Sequence, residues 1–215
     1  MLFRSKPILL GAVFKVTGGK PLPTLPLKGD YSKIDIARSA RFHALPFKFP
    51  SKFPIAGQAP SRAFYWVNER DPVLARKLAR TLYQAYFVDD RDISSPEITA
   101  DVAASLGLKR DELLAAIGSE PVKDKLKNEV EAAIARGVFG SPYFIIDGEP
   151  FWGVDRFDQI ERWLGKRGAK LGWRPEFPWS VVGDWLAKRP DVELKERRTV
   201  QPLGLFTLIR IARKS

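Results

Sequence analysis

The residues best placed to do chemistry lie in one stretch, Gly137-Val138-Phe139-Gly140-Ser141-Pro142-Tyr143-Phe144-Ile145-Ile146-Asp147-Gly148-Glu149-Pro150-Phe151-Trp152-Gly153-Val154-Asp155. Gly137 and Gly140 can end a preceding helix without a Cβ penalty, and Ser141-Pro142 forces an extended entry into the apolar run Tyr143 to Ile146. Asp147-Gly148 suits a two-residue hairpin turn into a second strand. A cis Ser141-Pro142 bond, which costs only about 0.5–1 kcal/mol for X-Pro, would leave the Ser141 N–H and C=O free to pair with an extended ligand such as a small peptide. Asp155, at the entry to a further helix, reads on residue type as an N-cap.

The remaining inventory mostly excludes functions. The 215 residues contain no cysteine, so a disulfide framework, a CxxC redox pair and a thiol nucleophile are ruled out. The one histidine, His43, rules out a multi-histidine metal site and a His-based triad, and reads as a helix-surface residue. No metal is therefore expected. No apolar run approaches the ~20 residues of a membrane span, and Met-Leu-Phe-Arg-Ser-Lys lacks the apolar core of a signal peptide. A cytoplasmic protein is the expectation.

The elements that must position the Ser141 edge read as a mixture of α and β. Phe3 to Leu10 reads as a buried strand, with Lys15 a solvated lysine beyond it, followed by a Gly/Pro-rich loop to Pro26. A helix is expected from Asp30, as N-cap, to Phe42, with Ile34, Ala37 and Ala40 on its apolar face. Residues 45–54, Leu-Pro-Phe-Lys-Phe-Pro-Ser-Lys-Phe-Pro, are too proline-rich for a helix. They read equally as the lining of a site and as a packed surface loop. From Ser61 to Arg136 the pattern is helical, with starts at Asp71-Pro72, Ser95-Pro96 and Glu120-Pro121. Val73, Leu74, Leu78, Leu82, Tyr83 and Phe87 form one expected buried face, and Leu113, Leu114, Ile117, Leu126, Val130 and Ile134 continue it.

The strand led by Ser141-Pro142, the Asp147-Gly148 hairpin and Phe151-Trp152-Gly153-Val154-Asp155-Arg156 opening a terminal helix (Phe157, Ile160, Trp163, Leu164) together resemble the 2-hydroxychromene-2-carboxylate isomerases. That family lies within the thioredoxin-like group containing disulfide oxidoreductase A and the kappa-class glutathione transferases. Pro7 to Gly18 resembles its second strand and following turn, so the likeness covers about residues 6–164. The resemblance implies an α/β fold, a thioredoxin-like sheet with an inserted all-helical subdomain. Residues 1–27 and 137–164 would form the sheet-bearing parts, 28–136 the helical insertion and 165–215 a basic extension.

In the resembled isomerases glutathione adds reversibly to a conjugated substrate, which then rotates and rearranges. Carried over residue by residue, Ser141 would bond the cysteinyl backbone of glutathione, with Pro142 fixing that geometry. Trp152, Gly153, Val154 and Asp155 would form the γ-glutamyl pocket, with Asp155 pairing the glutamyl ammonium. Lys15 matches the position that would meet the carboxylate of an aromatic substrate. The resemblance thus implies glutathione as cofactor, a small aromatic carboxylate as partner, a role in aromatic-compound breakdown, and it admits a homodimer. The family's catalytic serine ends a first strand that should precede Lys6. Only five residues stand there, so the catalytic residue is unassigned, and the sheet is expected to be unstable or rearranged. A non-catalytic glutathione- or peptide-binding module is the alternative.

The net charge of +11 is concentrated at the C-terminal end, with +4 over residues 1–164 and +7 over 165–215. Basic clusters such as Lys195-Glu196-Arg197-Arg198 could meet nucleic acid or an anionic membrane, but no nucleic-acid motif accompanies them, and a solvated extension is the simpler reading. Trp179, Val181, Val182, Trp185 and Leu186 could form a short amphipathic helix. Leu203 to Ile211 reads as a strand or an interfacial helix; as a strand, Leu205 to Ile211 is expected to pair beside Phe3–Leu10 or Tyr143–Ile146.

Overall fold

Between residues 58 and 135 apolar side chains recur at helical spacing, and burying that stripe builds the core. The computed structural model describes residues 5–165, 192–200 and 206–213. They fall into two compact units, residues 1–162 and 163–215.

In the first unit, helices α1 (Leu10–Thr17) and α2 (Lys28–Phe42) precede a helical layer. That layer comprises α3 (Gln58–Asn68), α4 (Pro72–Phe87), α5 (Pro96–Ala104), α6 (Arg110–Gly118) and α7 (Glu120–Ala135). Phe64, Val67, Leu78, Val102 and Leu113 are fully buried where these helices meet. The expected starts hold. Asp71 accepts hydrogen bonds from the Val73 and Leu74 N–H groups at 2.9 Å, and the Ser95 hydroxyl accepts from the Ile98 N–H at 3.2 Å, so each satisfies orphan donors of its helix. Val73 and Tyr83 lie at the margins of the α4 stripe and are 68% and 64% exposed, so the buried face is narrower than the sequence suggests.

A hairpin of β1 (Tyr143–Ile146) and β2 (Glu149–Trp152) follows, with Tyr143 opposite Trp152 and Ile146 opposite Glu149. Its turn is the expected one, Asp147 and Gly148 both having positive φ (53° and 89°). Helix α8 (Phe157–Gly165) follows, with Ile160 buried.

The N-terminal reading is corrected. Leu10–Thr17 is a helix, ended by Gly18 in the left-handed region at φ 71°. Residues 5–9 are irregular, and among the described residues no strand pairs with them. An apolar run without internal turn signals fits a buried strand and a buried helix equally, and packing of Leu9 and Ala12 on the helical layer decides for the helix. Residues 5–9 are held by the Tyr65 hydroxyl, which donates to the Pro7 carbonyl at 2.8 Å. Helix α2 is corrected too. Leu27 is its cap residue, Asp30 lies in the first turn, and Gly29 and Ser32 rather than Ile34 are buried.

Residues 45–54 form a packed loop. Phe47 and Phe53 stack on Phe87 and Tyr86 with ring centroids 6.0 and 6.4 Å apart. The Lys48 N–H donates to the Phe87 carbonyl at 2.7 Å, and Asp90 accepts from the Ser51 N–H at 2.7 Å.

In the second unit β3 (Val192–Val200) pairs antiparallel with β4 (Phe206–Arg213), with a bulge between Leu194 and Glu196. The expected tail strand therefore forms, but its partner is another tail segment, which carries the basic cluster. That hairpin is local in sequence and closes at small entropic cost, unlike a pairing with residues 3–10 or 143–146. Trp179, Val181, Val182, Trp185 and Leu186 lie outside the described residues.

Candidate functional site

The end of α7, the entry to β1 and residues 6–8 enclose a cavity of about 460 Å³. Sequence separates Lys6 from Glu129 on α7 by 123 residues. The α7 helix runs out at Ala135, Gly137 takes a positive φ of 77°, and the chain doubles back through Gly140 into Ser141. The Ser141-Pro142 bond is cis, as is Phe53-Pro54. Ser141 lines the cavity and is exposed, and among the described residues neither its N–H nor its C=O has a hydrogen-bond partner.

Aromatic rings and one turn build the wall behind Ser141. A Cβ on Gly140 would stand 3.0 Å from Cδ1 and Cε2 of Trp152, so glycine lets the indole lie against the chain there. Phe139 meets the Trp152 ring edge-on at 4.9 Å and Tyr143 at 5.3 Å. The Gly153 N–H donates to the Pro142 carbonyl at 3.0 Å, joining the 3₁₀ turn Val154–Arg156 to the β1 entry. Gly153 has φ 100°, and a Cβ there would strike the Asp155 carboxylate. Asp155 makes no side-chain cap, contrary to its reading as an N-cap, because it sits inside the turn. Its exposed carboxylate pairs with Arg156 at 3.1 Å.

Three charged cavity residues were not singled out from sequence, since only the fold brings them together. Lys6 pairs with Glu129 at 2.5 Å, and this contact holds the Glu129 carboxyl below its ordinary value, with Lys125 adding at 3.5 Å. Arg136 is exposed on the rim and, among the described residues, makes no ion pair. Lys15 lies on the exposed surface of α1 and lines neither this cavity nor a smaller one between α1 and α7. Among the described residues no group of three His, Asp or Glu side chains could hold a metal ion, and no helix is long and apolar enough to cross a membrane.

Residues 1–165 match the model of the DSBA-like thioredoxin domain. The chain belongs to the DSBA-like thioredoxin domain family. Its DSBA-like domain is mostly helical with a small sheet, the arrangement expected of a thioredoxin-like sheet carrying a helical insertion. The human glutathione S-transferase kappa 1 is 28% identical over 174 residues, which cover 75% of this chain and 77% of that protein. The 2-hydroxychromene-2-carboxylate isomerase of Pseudomonas putida is 25% identical over 142 residues, covering 66% and 68%. The solved structure of a 2-hydroxychromene-2-carboxylate isomerase superposes with a TM-score of 0.67 at 26% identity, over 75% of this chain and 79% of that one. Relatives of this DSBA-like domain are thus enzymes named for glutathione transfer and for isomerisation.

Proposed function

We propose that this chain binds glutathione along the Ser141 edge and acts in the cytoplasm as an isomerase of the 2-hydroxychromene-2-carboxylate type, on a small aromatic carboxylate arising in aromatic-compound breakdown. The observation that carries this reading is the Ser141 backbone, unpartnered among the described residues, at the mouth of a cavity lined by Tyr143 and Phe144, with Phe139 packed on the Tyr143 and Trp152 rings beside it. An extended tripeptide completes both Ser141 hydrogen bonds as an added strand would. Its γ-glutamyl end reaches the turn Trp152-Gly153-Val154-Asp155, where the Asp155 carboxylate faces an ammonium. Aromatic rings supply the flat apolar contacts an aromatic substrate needs. The carboxylate role expected of Lys15 falls here to Arg136, the rim cation with a free fork of donors.

A non-catalytic glutathione- or peptide-binding module is the second reading. It is favoured by the lining itself, whose hydroxyl groups among the described residues belong to Ser141 and Tyr143 alone.

Calorimetric titration with glutathione tests both, with Asp155→Ala beside the parent. Binding by the parent, weakened about tenfold or more in Asp155→Ala by loss of a charge pair of about 2 kcal/mol, supports the site. No heat of binding removes it. Turnover of 2-hydroxychromene-2-carboxylate in the presence of glutathione then supports the isomerase, and binding without turnover supports the module.

A further inference from the structure

Helix α7 has a hollow on each flank. Glu129, Ala133 and Arg136 border the cavity that Ser141 lines. On the opposite flank Leu126, Val130 and Ile134, one turn apart from one another, floor a second groove of about 240 Å³. Leu9 and Ala12, at the start of α1, complete it. All five side chains are aliphatic, in contrast to the Ser141 cavity, which Tyr143 and Phe144 line. The groove falls below the roughly 300–1,000 Å³ of sites for drug-sized molecules. It suits a single short chain rather than a tripeptide.

One end of this groove is cationic. Arg62 reaches it from α3, and Lys123 and Lys127 from the first half of α7. Arg62 is half-buried, and its buried Nε has no hydrogen-bond partner among the described residues. The bond that its guanidinium does make, to the Ile117 carbonyl, is long at 3.4 Å. Charges withdrawn from water are ordinarily paired, yet among the described residues Arg62 makes no ion pair. Glu120 does not supply one, because its carboxylate bonds Lys123 at 2.6 Å, the first cause that holds it below its ordinary value. Lys127 is exposed and, among the described residues, also makes no ion pair. Glu131 follows one turn further on, so the rim changes sign along the groove.

We propose that this groove binds a medium-chain alkyl carboxylate, its head on Arg62 and Lys127 and its tail laid along Leu126, Val130 and Ile134. A guanidinium offers five N–H donors, and a carboxylate is the acceptor that matches its planar fork. Lys127 adds a second positive charge, and Glu131 repels an anionic head from the other end, which fixes the ligand's direction. Leu126 and Ile134 stand about 12 Å apart along the helix, so an extended alkyl chain of that reach covers the floor. Each methylene laid there leaves water, which ties affinity to chain length. An aliphatic floor without a ring to stack on sets this ligand apart from the aromatic substrate of the Ser141 cavity.

Calorimetric titration of the full-length chain with octanoate, below its micellar range, is expected to give a dissociation constant on the order of 1 mM or tighter. Affinity should fall about two- to fourfold for each methylene removed. Octanol, a tail without the charge, and acetate, a charge without the tail, should each bind about tenfold or more weakly. Lys127→Glu reverses an exposed charge beside the head, so its melting temperature should match the parent's while octanoate affinity falls about tenfold or more. Arg62→Gln should weaken octanoate similarly and leave octanol unchanged, and Lys127→Glu carries the test if Arg62→Gln fails to fold. In methyl NMR spectra octanoate should shift Leu126, Val130 and Ile134 and leave the Trp152 indole N–H unmoved. No binding at about ten times the expected dissociation constant overturns the proposal. So does octanol binding as tightly as octanoate, or octanoate affinity in Lys127→Glu within about twofold of the parent's. A shift at Trp152 in place of the α7 methyls also overturns it, by putting the carboxylate in the Ser141 cavity.

Discussion

Gly140→Ala separates the site from the scaffold more sharply than any other single change. The new Cβ would stand 3.0 Å from two indole atoms of Trp152 and nearer still to Nε1, so the ring must move rather than flex. It can move, because Trp152 is 54% exposed. The scaffold cost is then bounded by the edge contact with Phe139, about 0.5–1.5 kcal/mol for such a pair. A loss near 1 kcal/mol lowers the melting temperature of a unit this size by about 2–4 °C. The ligand should notice more, because in the proposed glutathione site the indole walls the γ-glutamyl pocket and Ser141 is the next residue. Glutathione affinity is expected to fall about tenfold, or about 1.4 kcal/mol. Calorimetric titration reads the affinity, and the Trp152 indole N–H resonance reads the ring. An unmoved resonance with affinity unchanged within about twofold would refute the cradle. A fall of much more than ~4 °C would show that Gly140 serves the whole fold instead.

Further outcomes follow from the scaffold. Leu78→Ala, at a fully buried position on α4, should cost about 2–5 kcal/mol, read by chemical denaturation. Asp71→Ala removes an acceptor of two N–H groups at 2.9 Å and should cost about 1 kcal/mol, with the loss confined to α4 by hydrogen exchange. The Asp92 carboxyl is held down from its ordinary 3.8 to about 2, first by its hydrogen bond with Lys52 and then by Ser94. A depressed carboxyl favours the folded state above its unfolded value and loses that effect as the pH falls through the folded one. The melting temperature of Asp92→Asn should therefore lie below the parent's at pH 7, with the gap closing between about pH 4 and pH 2. A gap of constant size across that range would show the Lys52 contact to be energetically silent.

How far the sequence could be read depended on whether a feature is local. The turn at Asp147-Gly148 and the caps at Asp71 and Ser95 need only a few neighbouring residues, and all three stand where turn and cap chemistry put them. The cis Ser141-Pro142 bond was legible in the same way, with the family likeness adding to it. Leu10–Thr17 was not, because Pro7 to Phe14 is apolar without alternation and its conformation is set by Leu9 and Ala12 packing on distant helices. Ile34 misled for the opposite reason. Its spacing is helical, but spacing alone cannot say which side of α2 faces Pro23. Lys6 lies 123 residues from Glu129 and the three charged residues carry no motif, so the charged rim of the cavity emerges only from the fold. The tail strand β4, Phe206–Arg213, was visible in its β-branched residues, whereas its partner was not, since pairing depends on which segment closes the shorter loop.

The position of β1 also bears on how the protein behaves in a crowded solution. Tyr143-Phe144-Ile145-Ile146 is uniformly apolar, and among the described residues only β2 pairs with it, while its side chains line an open cavity. Such a margin can template end-to-end polymerisation of chains. Here the strand is only four residues long, and Pro142 precedes it without an N–H to offer. Lys6, Glu129 and Arg136 ring the opening with charge. These three side chains thus stand as gatekeepers against aggregation, and replacing them with apolar residues should lower colloidal stability.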